Sequence, residues 1–212
     1  LSKNNKDKAI TFISENGFRE ERSWQELHVN VGKISKYLRD INIKKKDRVV
    51  AYLPNYIQTV EAFIATSSLG AIWSSCSPDF GVKGVIERFF QINPKVLFVA
   101  DQYFYNGKTI NVLERVSQIL KEIPSIKHLI IVNYPGEKYT KGEYKFKKVK
   151  SVRWNELMKI NFEDIKFPKF NLEQELLILY SSGTTGKPKC ICHKSGGVLL
   201  QHKKEHQLHC NI

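Results

Sequence analysis

Apolar positions in this chain fall into short runs and helical stripes, never into long blocks. Residues 9–14 and 18–24 flank Asn16-Gly17, a dipeptide that accepts the positive φ of a tight reversal, and so predict an opening β-hairpin. A helix is expected next: Ser23 can cap the free first-turn amides while Glu26, three residues on, reaches back. Leu27, Val31, Ile34 and Leu38 then recur along one helical face, which must lie on a sheet. Downstream the pattern alternates. Runs at 48–53, 96–100, 128–132, 176–180 and 189–193 predict strands, whereas 57–69, 81–92 and 109–122 predict helices. The second of these helices would turn Val85, Ile86, Phe89 and Phe90 inward. Short apolar strands separated by helices imply parallel pairing through crossovers, so the expected fold class is α/β, with mostly parallel sheets and helices on both faces.

Polar stretches punctuate this pattern. Pro135-Gly136 followed by Lys138, Lys141, Lys145, Lys147, Lys148 and Lys150 predicts an exposed loop or surface ribbon, usually a solvated face. With Pro168 in the charged segment that follows, residues 133–174 read as a Lys-rich, linker-like region within a single unit. No internal repeat is visible. Among 212 residues, Lys and Arg total 34 and Asp and Glu 21, a formal net charge of +13. Such a charge suits an anionic partner: nucleic acid, an acidic membrane or a phosphate-rich small molecule. The basic residues are dispersed, Lys outnumbers Arg, and no RNP, KH or helix-turn-helix pattern accompanies them, so a nucleic-acid partner is not expected. No membrane span is expected either, because the best apolar run, 60–73, is broken by Glu61, Thr66, Ser67, Ser68 and Gly70, short of the roughly 18 residues required. The chain opens on Leu and a polar, Lys-rich stretch with no apolar signal core, and its N-terminus reads as a cut. Four cysteines, Cys76, Cys190, Cys192 and Cys210, in a chain this large point to reduced thiols and a cytosolic location.

Candidate chemistry concentrates in residues 180–189, directly after an apolar strand. Gly183 and Gly186 allow backbone conformations that side chains forbid, so successive N–H groups can turn toward one anion. The hydroxyls of Ser181, Ser182, Thr184 and Thr185 add donors, and Lys189 adds a full positive charge. Such a loop would wrap the β- and γ-phosphates of a nucleotide through charge-assisted hydrogen bonds. It is not the Walker pattern, since Pro188 stands five positions beyond Gly183, where that pattern needs its second Gly before Lys-Ser/Thr. A strand follows it, not a helix, so no helix dipole supplies its anion affinity.

The segment Tyr180-Ser181-Ser182-Gly183-Thr184-Thr185-Gly186-Lys187-Pro188-Lys189 resembles the signature loop of the AMP-forming acyl-CoA synthetases, the adenylating family that includes luciferases and peptide-synthetase adenylation domains. Tyr52-Leu53-Pro54-Asn55, residues 70–81, Tyr105-Asn106-Gly107-Lys108, and Gly196-Gly197 with Gln201-His202 resemble the acetoacetate-activating branch. The likeness runs over essentially the whole chain, and acetyl-CoA-forming relatives are the alternative branch. What the resemblance implies is part of a large N-terminal adenylation domain, cut at both ends and lacking the C-terminal domain. The full enzyme would join acetoacetate to CoA through an acyl-adenylate, releasing AMP and pyrophosphate, with ATP, Mg²⁺ and CoA as cofactors. Its pyrophosphate-side cradle would be Ser181, Ser182, Gly183, Thr184, Thr185, Gly186 and Lys189, while Lys187, at a variable position, matters less. The adenylating lysine lies downstream in the family, so no catalytic residue is expected here and the fragment alone should be inactive. Family members grip CoA with an Arg-x-Gly-Arg stretch that aligns onto residues 105–108, where only Gly107 and Lys108 match in character. Trp73 and Cys76 are expected beneath the sheet.

Two further patterns offer rival chemistry. His202-Lys203-Lys204-Glu205-His206 fits the inverted zinc-peptidase order, yet it lacks a third ligand. His209 with Cys190, Cys192 and His193 could instead make a structural metal site, but Cys190 and Cys192 would share one strand face, and a pair of core thiols is the expected meaning.

Overall fold

A computed structural model describes residues 5–134, 144, 146, 148–164, 167–182 and 186–211. The chain opens with strands β1 (Lys8–Ile13) and β2 (Arg19–Ser23), an antiparallel ribbon reversing at Gly17, whose φ is +82°. Helix α1 (Trp24–Asp40) starts on the expected capping box: the Glu26 amide donates to Ser23 Oγ at 3.2 Å and the Ser23 amide donates to Glu26 Oε2 at 2.8 Å. Two of the orphan donors of the first turn are thereby satisfied.

Next come β3 (Arg48–Tyr52), α2 (Ile57–Ser68), β4 (Ile72–Cys76), α3 (Val82–Phe89) with a 3₁₀ turn (Phe90–Ile92), and β5 (Val96–Ala100). A second ribbon, β6 (Gln102–Tyr105) and β7 (Lys108–Asn111), leads to α4 (Leu113–Glu122), β8 (His128–Val132), β9 (Lys150–Arg153) and a one-turn helix α5 (Trp154–Leu157). Strands β10 (Glu175–Ser181) and β11 (Lys189–Lys194) form a hairpin before α6 (Ser195–Lys204) and a wide π turn (Glu205–His209). The main sheet has seven strands in the order β11-β10-β4-β3-β5-β8-β9, all parallel except the edge strand β11, which runs antiparallel to β10.

Strand period divides the core into two faces. Val49, Ala51, Trp73, Phe98 and Ile130 meet Leu27, Val31, Ile34 and Leu38 of α1, together with α2. On the other face, Val50, Tyr52, Leu97, Val99, Leu129 and Ile131 meet Val85 and Phe89 of α3 and Val116 and Ile119 of α4. The α/β class with mostly parallel strands and helices on both faces is the observed architecture.

Several local expectations need correction. Phe90 is 57% exposed rather than inward, because the helix tightens to a 3₁₀ turn after Phe89 and that change of period brings Ile92 to the core instead. The helix expected from residue 109 begins only at Leu113. Asn106-Gly107, with φ of +49° and +73°, makes a tight reversal that commits residues 108–111 to β7, and the Leu113 amide then donates to Asn111 Oδ1 at 2.9 Å. Within the polar 133–174 region, β9 pairs with β8, and Trp154 and Leu157 enter the core. The expectation for residues 135–143, 145 and 147 lies outside the described residues. Cys190 and Cys192 are exposed, not core thiols, because β11 is a sheet edge.

Candidate functional site

Parallel strands bring the loops that follow them to one end of the sheet. The carboxyl ends of β3, β4, β5 and β10 therefore gather Leu53-Pro54-Asn55, residues 77–81, the β6–β7 ribbon and the start of the hydroxyl-rich loop. Open α/β sheets characteristically bind ligands at this end. The strand order reverses between β3 and β5, and there the buried rings of Tyr56 and Tyr134, 6.1 Å apart, fill the space.

Ser181 ends β10 opposite Lys189, the first residue of β11, so the loop joins two strands, as its sequence predicts, and the two run antiparallel. Gly183, Thr184 and Thr185 lie outside the described residues. Ser182, Gly186, Lys187 and Lys189 are exposed, and Gly186 takes a φ of +135°, with open space where a Cβ would stand. Among the described residues, neither Lys187 nor Lys189 has a carboxylate partner, and no hydrogen bond occupies the Gly186 or Lys187 amide. These groups fit an anion: donors and two ammonium groups share a loop with no acid to neutralise them.

The neighbouring segment 77–81 is built on a polar network that the sequence pattern did not reveal. Tyr52 Oη donates to the Phe80 carbonyl at 2.6 Å, and Arg115 Nη1 donates to the Pro78 carbonyl at 3.0 Å and reaches Tyr52 Oη at 3.3 Å. Burial raises the Tyr52 phenol above its ordinary value, against the opposing pull of Arg115. Burial also raises Tyr103, with the Asp79 carboxylate adding to the effect. In sequence Arg115 is masked by its helix, whose visible signal is the apolar stripe of Val116 and Ile119. Next to this network, Ser74 Oγ donates to the Ile178 carbonyl at 2.7 Å and lies within hydrogen-bond distance of Tyr180 Oη at 3.1 Å, joining β4 to β10. Trp73 and Cys76 are buried as expected.

Gly107 and Lys108 sit at the exposed β6–β7 reversal, where a Cβ on Gly107 would meet nothing and where the Asn106 amide donates to Glu15 Oε2 at 2.8 Å. The His-x-x-Glu-His residues are split between the end of α6 and the π turn. Glu205 accepts from Gln201 at 2.7 Å and pairs with Lys204 at 3.2 Å. Among the described residues, no group of three or more His, Cys, Asp or Glu side chains is placed to hold a metal ion.

The loop and its supporting network can be compared with known proteins. A family model described as "AMP-binding enzyme" matches residues 2–209. The chain belongs to the AMP-binding enzyme family. Acetoacetyl-CoA synthetase of Gallus gallus is 39% identical over 218 residues, covering 100% of this chain and 32% of the relative. The acetoacetyl-coenzyme A synthetase of Rhizobium meliloti (strain 1021) is 39% identical over 212 residues, with the same shares of 100% and 32%. A malonamoyl-CoA synthetase of Penicillium aethiopicum is 37% identical over 211 residues, covering 97% of this chain and 29% of that protein. The solved acetoacetyl-CoA synthetase from Streptomyces lividans superposes with a TM-score of 0.86 at 34% identity, over 97% of this chain and 30% of its own. This AMP-binding chain thus spans about a third of the length of the curated relatives it matches.

Proposed function

We propose that this chain is the phosphate-holding part of an acetoacetate–CoA ligase. The observation that carries the reading is the β10–β11 connection, where Ser181, Ser182, Gly186 and Lys189 stand with no carboxylate partner to either loop lysine among the described residues. The proposed cradle is Ser181, Ser182, Gly183, Thr184, Thr185, Gly186 and Lys189, with Lys187 secondary.

In the proposed reaction a carboxylate oxygen attacks the α-phosphorus of ATP and the bond to the pyrophosphate bridging oxygen breaks. The CoA thiol, giving its proton to water, then attacks the acyl carbon, and the bond from that carbon to the phosphate oxygen breaks, its electron pair leaving with AMP. Both steps crowd negative charge. Hydroxyl, amide and ammonium donors fixed on the departing pyrophosphate lower that repulsion, and Lys189 supplies the strongest single charge. Mg²⁺ would arrive with the nucleotide and offset part of its charge. Gly107 and Lys108, an open reversal with one ammonium group, would meet the phosphates of CoA. Cytosolic work suits the free thiols of Cys76, Cys190, Cys192 and Cys210.

The substrate class draws support from two printed names. Acetoacetate and malonamate are both short carboxylates with a carbonyl at the β position, and relatives named for each resemble this chain almost equally. The test is acid-dependent exchange of labelled pyrophosphate into ATP by the whole enzyme carrying this segment. Exchange should be supported by acetoacetate above acetate and fall by about 10²-fold in the Lys189→Ala variant, the scale of one transition-state donor. Exchange indifferent to Lys189 would contradict the cradle, and exchange with acetate alone would contradict the acid.

A further inference from the structure

The end of α3 and the 3₁₀ turn that follows it touch both ends of the loop between β10 and β11. At the exit, Gln91 Nε2 donates to the Pro188 carbonyl at 2.9 Å and to the Glu87 carbonyl at 2.7 Å. A primary amide has two N–H donors, so both are used, one on its own helix and one on a residue 97 positions away. Pro188 is buried and stands between Lys187 and Lys189, so the bond fixes the backbone that carries both ammonium groups. At the entry, the Arg88 guanidinium lies 4.3 Å from the ring centre of Phe80 and 5.8 Å from that of Tyr180, the residue before Ser181. Arg88 Nη1 is in turn held by the Gly84 carbonyl at 2.8 Å. Arg88 and Gln91 are one helical turn apart and therefore share a face.

We infer that Gln91 is a positioning residue, a clasp that sets the exit of the phosphate loop while Arg88 steadies its entry. The inference rests on the phosphate reading of that loop. Its physical content is pre-organisation: a loop already held in its anion-accepting shape spends less ligand energy on ordering. Gln91 itself is exposed, so replacing it leaves the core intact.

The experiment compares the whole enzyme carrying this segment with its Gln91→Met form, which keeps the length and loses the donor, and its Gln91→Arg form, which restores a donor. Amide hydrogen exchange at Lys189 and Cys190, in the β10–β11 ladder, is read without ligand, and affinity is read with ATP and Mg²⁺. In Gln91→Met, exchange at these two positions should rise roughly fivefold and ATP affinity fall by a similar factor, the weight of one hydrogen bond, with β3 and β5 unchanged. Gln91→Arg should return both readouts toward the parent. Unchanged exchange in Gln91→Met overturns the clasp; raised exchange with unchanged affinity overturns its positioning role. If exchange rises while no form binds ATP, the clasp stands and the phosphate reading of the loop falls.

Discussion

Cys76 shows how environment, not residue type, sets reactivity. It is 3% exposed at the end of β4, and burial pushes its thiol up to about 12, against a small opposing pull from Arg88. Cys190, Cys192 and Cys210 are exposed. Iodoacetamide at pH 8 should therefore modify those three in the folded chain and reach Cys76 only after denaturation, as intact mass will report. The same shift predicts a pH effect. The folded state keeps the Cys76 proton where the unfolded state has lost it, so its contribution to stability is full below 9.0 and is lost as pH rises toward about 12. Urea midpoints across that window should fall more steeply for the parent than for Cys76→Ala, by at most about 1.4 kcal/mol per pH unit.

At the level of elements, the legible parts are those whose local chemistry and burial agree. Ser23 and Glu26 announced the start of α1, and four apolar residues announced its buried face, because cap and stripe both depend on neighbours within the segment. Replacing Ser23 by alanine should cost about 1 kcal/mol, read as a lower urea midpoint at unchanged slope. Less legible were features decided at a distance. Strand β9 is short and polar in sequence, and only pairing with β8 makes it a strand. The β6–β7 ribbon was hidden because Thr109 and Ile110 continue the apolar spacing of α4, while Asn106-Gly107 decides otherwise through backbone conformation. The exposure of Cys190 and Cys192 followed from β11 being an edge, which period-two alternation does not encode. At the candidate site the loop residues could be read directly, since hydroxyl, glycine and lysine chemistry is local. Arg115, Tyr52 and Gln91 could not, because each acts through a carbonyl that only the fold brings near.

Across the whole molecule, one topological fact converts separate segments into a candidate site. Parallel pairing of β10 with β4, and of β4 with β3, aligns their carboxyl ends. Residues 52–55 and 77–81, with Ser181 and Ser182 at the end of β10, then face a common region, although well over a hundred positions separate the first from the last. The net charge of +13 favours anions throughout, so the account turns on the loop being special within a basic surface. Titrating the chain with a fluorescent ATP analogue and Mg²⁺, for the parent, Lys189→Ala, and a distant control Lys127→Ala, separates the two. The account predicts saturable binding that Lys189→Ala weakens by roughly tenfold, the scale of a charge-assisted hydrogen bond, while Lys127→Ala leaves it unchanged. Equal loss in both variants, or binding indifferent to Lys189, would contradict it.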